Sequence, residues 1–98
     1  MKAESYWVYI LLCENGCYYT GYTADLEKRY AAHIDGVASK YTRSFRPVSI
    51  AQSWKIAGGK SLAMKIEKRI KKLSRIQKEN LIANPNLLFL ENEILFNR

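Results

Sequence analysis

The sequence predicts an α+β domain, a three-stranded and mainly antiparallel sheet flanked by helices in the order β-β-α-β-α-α. Three observations predict it. Two short runs rich in aromatic and aliphatic residues flank an Asn15-Gly16 pair, a strong hairpin signal. A later run alternates apolar residues at period two. Two further segments repeat them at helical spacing. The 98 residues suit one domain that buries its core without staples.

The hairpin strands cover residues 6–13 and 17–22, and the turn between them has two possible geometries. With a two-residue Asn15-Gly16 loop, Leu12 faces Tyr19, and Tyr9 and Tyr19 point to opposite faces. With a three-residue Glu14-Asn15-Gly16 loop, Gly16 is left-handed in a G1 bulge. Leu11 then opposes Tyr19, Tyr9 opposes Gly21, and the two tyrosines share a face.

Thr23-Ala24-Asp25 offers capping side chains before a helix over 26–34, where Leu26, Tyr30 and His33 fall on one side. Asp35-Gly36 ends it. Residues 36–46 lack periodicity and read as a loop in which Lys40, Arg43 and Arg46 alternate with Tyr41 and Phe45. Pro47 opens the third strand, with Val48, Ile50, Trp54 and Ile56 expected on one buried face. Gly58-Gly59 breaks the chain before a helix over 60–73, striped by Leu62, Ala63, Ile66, Ile70 and Leu73. Ser74 and Gln77 fit a capping box for a third helix that stops before Asn84-Pro85. Residues 1–83 are expected to form the domain. Residues 84–98 are an apolar tail that packs as strand, helix or contact with a protein partner or second copy.

Charge is unevenly spread. Residues 55–78 hold nine Lys or Arg and a single acid, Glu67, so this stretch carries the whole positive excess of a chain with net charge +7. Solvated helix faces usually mix both signs. A surface facing a polyanion is therefore expected, with Lys68, Lys71 and Lys72 from this stretch and Lys40, Tyr41, Arg43 and Arg46 from the loop contacting nucleic acid. Two cysteines and one histidine exclude a disulfide framework and a zinc finger. The apolar run near the start lacks a small-residue cleavage site, and no run reaches membrane-spanning length. A cytoplasmic protein that does not engage membranes is the expectation.

Few residues offer chemistry. Arg29 and His33 lie four apart and project from one helix face, joining a phosphate-gripping guanidinium to a group that exchanges protons near neutrality. Glu67 lies at the margin of its helix's apolar stripe. It either faces a cleft or simply pairs with Lys71 at i+4. Tyr9, Tyr19 and Tyr22 sit where strands favour tyrosine anyway.

Val8-Tyr9-Ile10, eight residues, then Tyr19-Thr20-Gly21, with Arg29 and His33 on the next helix and Glu67 on a later one, resembles the GIY-YIG nuclease domain. The similarity covers about residues 5 to 83, with Val8 and Thr20 standing where the family name has Gly and Ile. It looks most like the small stand-alone bacterial members.

The resemblance implies metal-dependent hydrolysis of DNA phosphodiester bonds, structure-selective and serving repair or recombination. Glu67 would hold one divalent cation, Mg²⁺ or Mn²⁺. Arg29 would neutralise charge on the phosphoryl oxygens, and Tyr9 would orient the attacking water, with His33 and Tyr19 completing the set. Gly21 would allow close backbone packing. Tyr9 acts either as a phenolate, which costs roughly 4 kcal/mol at pH 7 for a free tyrosine, or as a relay to His33. The rival expectation is a nucleic-acid-binding protein of the same fold with little catalysis. The DNA itself is expected to be branched or single-stranded.

Overall fold

A computed structural model describes residues 5–89. Its elements are β1 (Tyr6–Cys13), β2 (Tyr18–Thr23), α1 (Leu26–Ile34), α2 (Lys40–Ser44), β3 (Pro47–Ile56), α3 (Gly59–Lys71) and α4 (Arg75–Ala83). The sheet is antiparallel with strand order β2-β1-β3. The expected α+β architecture and order are present, with one addition, the five-residue α2 inside the segment read as a loop. One turn of helix is too short to display periodicity. Its sign in the sequence is instead the cap, where Ser39 Oγ accepts from the Thr42 N–H at 3.1 Å.

β1 reads as a nearly unbroken apolar run because it is the central strand and is covered on both sides. Val8 and Ile10 face the larger core with Trp54, Ile56, Ala63, Ile66, Ile70 and Leu81. Tyr9, Leu11 and Cys13 face a second cluster completed by Tyr19, Leu26, Tyr30, Tyr41 and Ile50. The α3 and α4 stripes therefore cover one face, and α1 with α2 covers the other.

β3 departs from the expected alternation. Its register against β1 shifts twice: Ile10 pairs with Gln52 but Leu11 pairs with Ile50, and Leu12 pairs with Ser49 but Cys13 pairs with Pro47. Each shift inserts one extra residue, and each extra residue reverses the facing of everything before it. Ile50 consequently joins the Tyr9 side rather than that of Trp54 and Ile56. Val48 is left 61% exposed.

The β1–β2 turn takes the three-residue form. Gly16 has φ +80, its N–H donates to the Cys13 carbonyl at 2.8 Å, and the Cys13 N–H donates to the Cys17 carbonyl at 2.9 Å. Contacts from distant elements hold the turn. The Arg75 guanidinium donates to the Gly16 carbonyl at 2.8 Å, and the Glu14 N–H donates to the Arg46 carbonyl at 2.8 Å.

The expected capping box opens α4, with Gln77 N–H donating to Ser74 Oγ and Ser74 N–H donating to Gln77 Oε1. Beyond α4, Trp54 Nε1 donates to the Pro85 carbonyl at 2.9 Å, and Leu88 is buried in the larger core. The start of the apolar segment thus packs on the domain. The remainder of the expected tail, from residue 90, lies outside the described residues. Both cysteines are free, Cys13 buried and Cys17 exposed. No described helix is long and apolar enough to cross a membrane.

Thr20 opposes Ile10 and points into the larger core with its hydroxyl lacking a hydrogen-bond partner among the described residues. A buried hydroxyl left unpaired costs about 1–3 kcal/mol. Thr20→Val keeps the shape and removes the debt, so it should raise stability by about 1 kcal/mol and Tm by about 4–8 °C. Thermal denaturation followed by circular dichroism measures this, and an unchanged or lower Tm contradicts the account.

Candidate active site

The turn determines which side chains meet. In the observed register Tyr9 opposes Gly21 and Leu11 opposes Tyr19, so Tyr9 and Tyr19 project from the same face. The Tyr9 ring lies across β2 directly over Gly21. A Cβ at that position would come within 2.5 Å of the Tyr9 hydroxyl, so only glycine leaves the ring where it is.

α1 supplies the next two groups. Asp25 caps it, its carboxylate accepting from the Lys28 N–H at 3.1 Å. One turn apart on the resulting helix, Arg29 is exposed and His33 is buried. The Tyr9 hydroxyl meets His33 Nε2 at 2.8 Å. On the opposite side of the ring, His33 Nδ1 meets Thr42 Oγ1 at 2.7 Å. The Tyr19 ring packs against the imidazole edge with centroids 5.1 Å apart. Tyr9, Tyr19, Arg29, His33 and Glu67 all line one cleft of about 480 Å³, so all five expected residues come together.

Electrostatics sort them. Burial raises the Tyr9 phenol well above its ordinary value, the neighbouring Tyr19 and Glu67 raise it further, and Arg29 opposes them without prevailing. Burial lowers His33 to about 4, with the Arg29 guanidinium adding to the effect. At neutral pH the pair is therefore a neutral phenol beside a neutral imidazole. Arg29 has no ion-pair partner among the described residues. Glu67 both lines the cleft and pairs with Lys71 at 3.5 Å, so the two readings of this residue hold together.

The donor set limits which cation fits. No group of three or more His, Cys, Asp or Glu is gathered among the described residues. Glu67 offers one carboxylate with its side chain 14% exposed. Such a site suits a hard divalent cation that keeps most of its waters.

Of the residues expected to contact nucleic acid, Lys40, Arg43, Arg46, Lys68, Lys71 and Lys72 are exposed and Tyr41 is half-buried. Tyr41 and Arg46 also have partners within the fold. Tyr41 stacks on Tyr19 with centroids 5.9 Å apart and accepts a hydrogen bond from Asn15. Arg46 packs beside Gly36 and donates to the Ile34 carbonyl at the end of α1. Sequence reasoning overlooked Thr42, which lies between two residues it chose. The signal was present in Ser39, three residues earlier, as the cap of a short helix.

A model of the GIY-YIG catalytic domain matches residues 5–80. A UPF0213 protein of Halobacterium salinarum is 49% identical over 74 residues, 76% of this chain and 95% of that protein. A UPF0213 protein of Bacillus velezensis is 44% identical over 84 residues, 84% of this chain and 82% of that one. The solution NMR structure of a UPF0213 protein from Bacillus halodurans, 40% identical, superposes with a TM-score of 0.52 over 81% of this chain and 83% of its own. A match across the whole hairpin-to-α4 unit, with relatives similar over most of their own length, agrees with the two tyrosines, arginine, histidine and glutamate gathered at one cleft: the chain belongs to the GIY-YIG catalytic domain family.

Proposed function

We propose that the protein is a divalent-metal-dependent endonuclease that hydrolyses DNA phosphodiester bonds, selecting DNA structure rather than sequence and serving repair or recombination. The observation that carries this reading is the buried Tyr9–His33 hydrogen bond opening onto a cleft shared with Arg29 and Glu67. Glu67 is the residue to hold Mg²⁺, or Mn²⁺ in its place. Held there, the ion would supply Lewis-acid polarisation of the scissile phosphate and charge stabilisation for the leaving 3′ oxygen.

The remaining work falls to the chain itself. Arg29, exposed at the cleft and without an acidic partner among the described residues, engages the phosphoryl oxygens as charge builds on them. Tyr9 orients the attacking water and passes its own proton to His33 Nε2 as it accepts one from the water. This relay suits a phenol whose burial opposes a lasting negative charge. Tyr19 holds the imidazole edge in place. The exposed Lys40, Arg43, Arg46, Lys68, Lys71 and Lys72 attract the DNA backbone. That attraction by itself also serves the rival reading, a binding protein of the same fold with little catalysis.

Glu67→Ala separates the two. It should reduce Mg²⁺-dependent nicking of branched or single-stranded DNA by at least about 100-fold. DNA affinity should hold or rise, because a carboxylate beside phosphate is lost and Lys71 is released from its ion pair. Wild-type protein that nicks no duplex, branched or single-stranded DNA with either metal leaves only the binding reading.

Gly21→Ala should push the Tyr9 hydroxyl off His33. Nicking should fall about 100-fold, while thermal stability falls by only about 1–3 kcal/mol. Unaltered nicking removes Tyr9 from the mechanism.

His33 also predicts how stability depends on acidity. The unfolded chain takes up a proton on this residue from about pH 6.5 downward, whereas the folded chain resists until about 4. Stability present above pH 6.5 is therefore lost as pH falls toward 4. The loss reaches about 2 kcal/mol by pH 5, at 1.36 kcal/mol per unit. Urea titrations of wild type and His33→Gln at pH 7 and pH 5 measure it. Equal pH sensitivity of the two proteins contradicts the assignment.

A further inference from the structure

The side of His33 away from the cleft carries a hydrogen-bonded pair that the hydrolytic scheme leaves without a role. Thr42 Oγ1 lies 2.7 Å from His33 Nδ1 and 2.8 Å from Ser39 Oγ. Ser39 Oγ also accepts from the Thr42 backbone N–H, so the pair and the first turn of α2 form one unit. Thr42 is 0% exposed and His33 1%, which leaves bulk water unable to stand in for either partner.

An imidazole that receives the Tyr9 proton on Nε2 must present a lone pair there, so its own hydrogen resides on Nδ1. Once protonated it has two N–H donors in a buried setting, and each needs an acceptor. Tyr9 oxygen serves Nε2. Among the described residues, Thr42 Oγ1 is the group that serves Nδ1. Ser39 in turn gives the Thr42 hydrogen an acceptor, which leaves the lone pairs of Oγ1 turned toward the ring.

We propose that Thr42, held by Ser39, is a positioning residue of this site: it accepts the Nδ1–H of His33, keeps Nε2 facing Tyr9 as a proton acceptor, and stabilises the imidazolium that forms. The catalytic consequence rests on the hydrolytic reading, whereas the tautomer is a property of the resting protein. Without the Thr42 hydroxyl, Nδ1–H becomes a buried donor with no acceptor. The neutral ring then keeps its hydrogen on Nε2 and donates to the Tyr9 oxygen. That reversal leaves the Tyr9 proton nowhere to go.

The chain has one histidine, so its ring nitrogens give unambiguous ¹⁵N signals. At pH 7 the wild-type spectrum should report a protonated Nδ1 and an unprotonated Nε2. Thr42→Val should move the hydrogen to Nε2 and lower kcat for nicking by about 10- to 100-fold with KM within about twofold. Thr42→Ser, which restores the hydroxyl, should recover both. If the valine variant fails to fold, Thr42→Ala takes its place with the same expectations. A folded Val or Ala variant that keeps the wild-type ¹⁵N pattern overturns the proposal, as does a folded Ser variant that fails to restore it. Should the wild type not cleave DNA, the hydrolytic reading fails, and the ¹⁵N pattern still decides the role of Thr42.

Discussion

The site depends on the left-handed backbone at Gly16. Because side chains alternate along a strand, a turn one residue shorter would set Tyr9 and Tyr19 on opposite faces of the sheet. The three-residue turn instead pairs Tyr9 with Gly21, the one residue type over which its ring can lie. Three distant elements keep the turn in this form: α4 through Arg75, the entry to β3 through the Arg46 carbonyl, and α2 through the Asn15–Tyr41 hydrogen bond. The geometry of the cleft is therefore set by contacts made at the hairpin turn.

Covering both faces of the sheet separates packing from function. The face under α3 and α4 is built chiefly of aliphatic side chains and Trp54, and Thr20 is its one unpaired buried hydroxyl among the described residues. The face under α1 and α2 mixes apolar and polar groups, and there each buried polar atom of Tyr9, His33 and Thr42 has a partner. A low local dielectric strengthens such a chain of hydrogen bonds and penalises any break in it. α1 and α2 thus act together. The first brings in the histidine, and the second supplies the acceptor behind it.

Much of this was legible in the sequence, for identifiable reasons. Strands, long helices and the Ser74–Gln77 cap are local patterns, and each appeared close to its expected place. The five cleft residues were legible through their order along the chain, since neither Arg29 with His33 nor Glu67 alone outweighed its ordinary structural explanation. Three features were not legible. Period two assumes an unbroken ladder, and the bulges of β3 violate it, so Ile50 and Val48 were misassigned. α2 is shorter than any useful window. The contacts that tie Tyr41 to Tyr19 and Arg46 to the end of α1 span the fold, and no local pattern announces them.

The resting charge state bears on the proposed proton relay. In the proposed hydrolysis, burial raises the Tyr9 phenol and lowers the His33 imidazole, so both shifts oppose moving the proton from one to the other at rest. A stepwise route through a phenolate beside an imidazolium would work against both shifts. If Tyr9 accepts the water's proton while giving up its own, it never carries charge. His33 is then the net acceptor. The penalty on the imidazolium remains, and it is eased where its two N–H groups meet Tyr9 and Thr42. The same burial that makes His33 a weak base in isolation keeps it neutral and ready across the physiological pH range, so the base strength it gives up is exchanged for constant availability.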